Sequence, residues 1–219
     1  MGLAESVLSY PINIRMTTNN VDPTLSNDVP KAGTVLASYC SGNTLVKTIA
    51  DGNGGIYLES IPDSNVCRTI LPPLTISKNS TNLTINVSSL NGYINGHSDI
   101  TITILKDVHI YSDSIGIPAL SIIGSNINDN ITLINNGYIL GIADSEYRGP
   151  EYSGPGLYIE SPITLTNNGY ICGGPNDKNV LYYTPEQSNK ITPGGPAILL
   201  GKNGNVTYTV RGTIWGDTP

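Results

Sequence analysis

Three acidic side chains, Asp144, Glu146 and Glu151, fall inside one short stretch, IADSEYRGPEYS. Two more, Asp177 and Glu186, fall inside a second, GPNDKNVLYYTPEQSNKITPG, and Glu160 stands between the two stretches on a strand-like run. Carboxylates facing each other across a groove are the equipment of glycoside cleavage: one is protonated to release the leaving oxygen, the other ionised to attack or to activate water. Here all but Glu160 sit in loop sequence, where acidic groups are ordinarily solvated, so a small glycan depolymerase ranks below a binding function. The same stretches hold Tyr147, Arg148, Tyr152, Tyr182 and Tyr183. Tyrosine offers a broad apolar face with a polar tip and loses little entropy on binding, which suits a recognition surface. These five are the candidate recognition residues; the competing role for the tyrosines is packing onto their own scaffold.

Other chemistry finds no footing. The chain has no nucleophile elbow, no phosphate-binding loop and no zinc spacing. Asp51 opens ADGNGG, which lacks the lysine of a phosphate loop and reads as a turn, with calcium binding as the weaker alternative. The three cysteines are Cys40, Cys67 and Cys172, and with only His97 and His109 beside them they make no metal site. Cys40 and Cys67 flank one small segment and are a possible disulfide, with two free thiols as the alternative. Cys172 reads as a small buried hydrophobe. No cofactor, no metal and no enzymatic activity are expected.

The net charge is −6, from 11 basic and 17 acidic side chains, and no basic patch exists for nucleic acid. No apolar stretch is long enough for a transmembrane helix. The start of the chain lacks the charged beginning and apolar core of a signal peptide, so synthesis in a cytoplasm is expected.

The elements that must position these residues are strands. There are 24 Gly, 15 Pro, 13 Tyr and no Phe, only 13% of residues are charged, and no long run keeps a helical period. TVLASYC and TLVKTIA, separated by Ser41-Gly42-Asn43, read as a hairpin; IYLESI is a third strand after DGNGG. Pro72-Pro73 marks a boundary, because neither proline can donate to a ladder. Beyond it one phrase recurs: ITLINNGYILG is followed 32 residues later by ITLTNNGYICG. Four copies are read, ending at Gly96, Gly141, Gly173 and Gly216 and centred on the turn glycines Gly92, Gly137, Gly169 and Gly212. Asn-Gly supplies left-handed turn geometry, and an Asn ladder follows if copies stack. Residues 97–115 and the two tyrosine-bearing stretches are read as inserts between copies. A single copy cannot bury its apolar face, so neighbours must cover it. The expected fold is all-β: a small N-terminal β module over 31–70, then a β-solenoid or β-prism-like stack over 71–219, completed by other subunits as a homotrimer.

Two stretches also resemble known proteins. GTVLASYCSGNTLVKTIADGNGGIYLESIPDSNVC resembles a small module of structural proteins of tailed bacteriophages, tail fibres included. ITLTNNGYICGGP, with the later TPGGPAI, resembles the glycine-punctuated distal end of lambda-like host-specificity proteins and related phage adhesins, although no long polyglycine tract is present. Together they cover about two-thirds of the chain. The resemblance implies a virion surface protein, most often a homotrimer, made in the host cytoplasm. Residues 1–30 would be an arm attaching to other virion proteins, and 71–219 would carry loops that bind a bacterial receptor, protein or glycan. A capsid or tail decoration protein without a receptor is the alternative.

Overall fold

Strand-forming residues and glycine turns produce strands throughout the computed structural model, which describes residues 30–62, 65–143, 153–175, 194–216 and 218. Among these residues there is no α-helix; the only helical element is a single 3-10 turn at Val87–Ser89. The described residues divide into two compact units, 30–38 with 47–59 in one and 39–46 with those from 60 onward in the other.

The N-terminal strands are β1 (Val35–Ser41), β2 (Thr44–Ala50) and β3 (Ile56–Ile61), ordered β1-β2-β3 in one sheet. The turns follow the glycines: Gly42 lies at φ +59°, and Gly52 and Gly54 at +83° and +89°. Asp51 is a turn former here. Its carboxylate accepts the amides of Asn53 (2.7 Å) and Gly55 (2.9 Å), as an Asx turn does. Cys40 and Cys67 form a disulfide, while Cys172 is a buried free thiol whose pKa is pushed up to about 12 by burial.

The larger unit is built by winding. After the short strands β4 (Thr69–Ile70), β5 (Leu74–Ile76) and β6 (Ser80–Thr81) come four successive windings of three strands each. The first holds β7 (Leu83–Asn86), β8 (Ser98–Ile104) and β9 (His109–Tyr111); the second β10 (Leu120–Ile123), β11 (Asn130–Asn135) and β12 (Tyr138–Leu140). The third holds β13 (Leu157–Ile159), β14 (Ile163–Asn167) and β15 (Tyr170–Cys172); the fourth β16 (Ile198–Leu200), β17 (Val206–Val210) and β18 (Thr213–Trp215). Each strand pairs in parallel with its counterpart one winding away, giving three sheets, β7-β10-β13-β16, β8-β11-β14-β17 and β9-β12-β15-β18. Parallel pairing needs a crossover; here the other two strands of the winding supply it.

Because paired strands lie about 4.8 Å apart, like residues meet in columns. Leu120 lies beside Leu83 and Leu157, Leu133 beside Ile102 and Leu165, Ile139 beside Ile110 and Ile171. These side chains form one continuous buried cluster through the windings. The ITIT, ITLI and ITLT runs alternate as a half-buried strand should, the first and third residues inward and the threonines and Ile134 outward.

Two expectations are corrected. The first copy is not the stretch centred on Gly92. The first winding runs from β7 to β9, so SDITITI and HIY, read as part of an insert, are its second and third strands. The phrase LNGYING around Gly92 is instead an excursion, with Gly92 at φ +83°. Its Tyr93 donates its hydroxyl to the buried carboxylate of Asp129 (2.7 Å), which also accepts the amides of Asn126 (2.8 Å) and Ser98 (3.2 Å). The second correction concerns Gly137, Gly169 and Gly212, none of which lies at positive φ. The Gly137 amide is taken by the Asn135 side chain, the Gly169 and Gly212 amides by the backbone carbonyls of Asn135 and Asn167, and glycine is required at all three by close backbone approach.

Burial, and then the hydrogen bond to Asp129, push the Tyr93 phenol up from 10.0 to about 12. The neutral phenol is therefore the form that folding favours. Its contribution is complete below pH 10, where folded and unfolded chains both hold the proton, and is lost as pH rises from 10 towards 12. Tyr93→Phe is expected to lower stability at neutral pH by removing the bond to Asp129, and to flatten the decline above pH 10. Thermal melts of both proteins across that range check this; parallel curves would contradict it.

Candidate functional site

The repeated Asn-Asn-Gly-Tyr phrase forms the corner between two sheets. Asn135 and Asn167 are fully buried at the ends of β11 and β14. The Asn135 side-chain amide donates to the Asn167 side-chain oxygen (2.8 Å) and to the Tyr170 carbonyl (3.1 Å). The Asn167 amide donates onward to the Thr213 carbonyl (3.0 Å). Asn168 repeats the pattern outside, donating to Asn136 (2.9 Å). Every buried amide thus has a partner, as burial demands. The Gly137 amide donates to the Asn135 side-chain oxygen (3.1 Å), which closes the turn. The following tyrosines stack on the outside: Tyr138 lies between His109 (ring centroids 4.3 Å apart) and Tyr170 (5.2 Å), with the rings nearly parallel. The expected Asn ladder exists, and its asparagines are taken up by the scaffold.

A second corner lies where the phrase ends. The first tyrosine-bearing stretch is described as far as Ala143 and again from Ser153, the second as far as Pro175 and again from Gly194. These four ends are bonded to one another. The Gly154 amide donates to the Ile142 carbonyl (2.8 Å), and the Gly174 amide to the Gly154 carbonyl (2.8 Å). Gly194 and Gly195 both donate to the Gly174 carbonyl (2.8 and 2.9 Å), and the Ser153 hydroxyl to the Pro175 carbonyl (3.2 Å). Ala143, Ser153, Gly154 and Gly195 are all buried.

Such density of backbone leaves no room for side chains. A Cβ on Gly174 would overlap the Ile142 carbonyl oxygen, one on Gly141 that of Gly154, and one on Gly173 that of Gly195. On Gly195 it would lie 2.6 Å from the Ser153 oxygen. Glycine is the residue for backbone contact of this kind. The GPG, GGP and GGP clusters at 154–156, 173–175 and 194–196 thus form one joint at the described ends of both stretches.

The proposed recognition residues Tyr147, Arg148, Tyr152, Tyr182 and Tyr183 lie outside the described residues, as do Asp144, Glu146, Glu151, Asp177 and Glu186. Glu160 lies within them and is occupied structurally, accepting the Gly124 amide (2.7 Å). No group of three potential metal ligands occurs among the described residues.

Residues 72–175 match the family model described as phage tail fibre adhesin Gp38, over just under half of the chain. The match supports a tail fibre adhesin and, with it, a place on the virion. It takes in the first three windings and the insert 144–152, and it extends neither to residues 1–71 nor to lambda-like host-specificity proteins. No curated protein and no solved structure matches the chain.

Proposed function

We propose that the chain is a bacteriophage tail adhesin whose tyrosine-bearing inserts bind a receptor on the bacterial surface. The observation that carries this is the shared glycine joint: the backbone flanking both tyrosine-bearing stretches is bonded together, which favours inserts that emerge near one another. The match to tail fibre adhesins over 72–175 favours the same reading. The windings act as a β-solenoid scaffold. Residues 1–30 and the module over 31–70 attach to other virion proteins, and residues 71–219 form the receptor-binding region. Three chains associate, each covering apolar surface that the others leave open; Tyr208 and Val210, at inward register positions of the last winding, are substantially exposed.

The test uses two double variants, Tyr147→Ala with Tyr152→Ala, and Tyr182→Ala with Tyr183→Ala. Each is expected to keep the circular dichroism of the parent, and light scattering should give about three times the 23.2 kDa chain mass, as a three-chain association requires. At least one should lose host-cell adsorption about thirtyfold or more, the cost of removing aromatic anchors worth roughly 2 kcal/mol. Undiminished adsorption by both would favour a decoration protein, and glycan cleavage by the parent would favour a depolymerase.

A further inference from the structure

The N-terminal sheet has little to hold it together. Its buried apolar side chains are Val46, Ile49 and Ala50, all on β2. All seven residues of β1 are exposed, and Ile56, Tyr57 and Leu58 on β3 are each at least half exposed. A three-stranded sheet that buries so little apolar surface is marginal in water, whereas the windings share a continuous aliphatic interior. The Cys40–Cys67 bridge closes the chain around β2 and β3. In the chain-entropy account, a bridge spanning 27 residues disfavours the open state several-hundredfold, on the order of the whole stability of so small a sheet. Cys40 is at the exposed end of the bridge and Cys67 at the buried end.

We propose that this disulfide is a redox-sensitive latch: the β1-β2-β3 sheet is ordered while the bridge is closed and melts when a thiol reductant opens it, while the windings stay folded. In the opening step a thiolate of a small dithiol attacks the Cys40 sulfur, and the S–S bond breaks with its electron pair leaving on the Cys67 sulfur, which takes up a proton. The second thiolate of the reagent then attacks the reagent sulfur of the mixed disulfide. Cys40 leaves as a thiolate and is protonated, and the reagent departs as a cyclic disulfide, so two electrons and two protons pass to the protein. Reducing cytosol and oxidising extracellular medium are the surroundings that set the two states.

Hydrogen exchange read by mass spectrometry tests this on the full chain, oxidised and after dithiothreitol treatment with alkylation of the released thiols. Peptides covering β1, β2 and β3 should exchange roughly a hundredfold faster or more after reduction, and those covering β10–β15 should be unchanged. The Cys40→Ser, Cys67→Ser double variant should match the reduced protein without any reagent. Unchanged protection of β1–β3 in the alkylated protein or the variant would overturn the proposal. So would equal loss of protection in the windings, or a bridge that dithiothreitol leaves closed.

Discussion

Gly169→Ala is expected to destabilise the windings by about 3 kcal/mol or more, near the upper end for a single added methyl group. A Cβ at this position would overlap the carbonyl oxygen of Gly137, and Gly212 stands in the same relation to Gly169. That oxygen cannot withdraw, because it accepts the Tyr170 amide (2.9 Å) in the ladder joining two windings. A flexible neighbour would yield; a bonded backbone does not. The contrast that isolates this cause is Gly42, where a Cβ meets open space but φ is +59°. Asparagine tolerates that left-handed conformation, so Gly42→Asn should cost little and Gly169→Asn should be as damaging as alanine or worse. Denaturant unfolding of the three variants measures this, and equal effects of the two asparagine substitutions would show that conformation rather than contact governs Gly169.

Asn167→Ala is expected to cost about 3 kcal/mol, combining a small cavity with broken hydrogen bonds. Asn167 is fully buried, accepts from the Asn135 amide and donates to the Thr213 carbonyl. Truncation therefore leaves Asn135, which is fully buried, without one partner and the half-buried Thr213 carbonyl without its side-chain donor. Asn167→Asp should be at least as costly, since it replaces the donor to a carbonyl with a carboxyl group in a buried site. Asn130→Ala, at the exposed start of β11, should change stability by less than about 1 kcal/mol. Chemical denaturation of the set ranks them, and a mild Asn167→Ala would mean that the inner asparagine ladder adds little to the scaffold.

Much of the scaffold was legible along the chain. The Ser-Gly-Asn and Asp-Gly-Asn-Gly-Gly turns bound the N-terminal strands, since left-handed glycine turns are local events. The repeated ITLxNNGYI phrase marked strands that lie side by side, Ile131 on Ile163 and Asn135 on Asn167. The first winding was harder to read because its third strand, HIY, follows ILKDV where the second and third windings have Asn-Asn-Gly. A match of wording at LNGYING drew the register to the wrong place.

The amino-acid sequence by itself determined the strand class, the repeated unit, the turn positions of the N-terminal sheet and the resemblance to phage adhesins, because alternation and turn chemistry act between near neighbours. Only the tertiary structure decided the register of the first winding, the cause of the glycines at 137, 169 and 212, and the meeting of both insert ends at one joint. Each of these depends on contact between windings some thirty or more residues apart, and backbone approach at that distance leaves no periodicity in the local pattern. A glycine required for a turn and a glycine required by the next winding are the same letter until the windings are stacked.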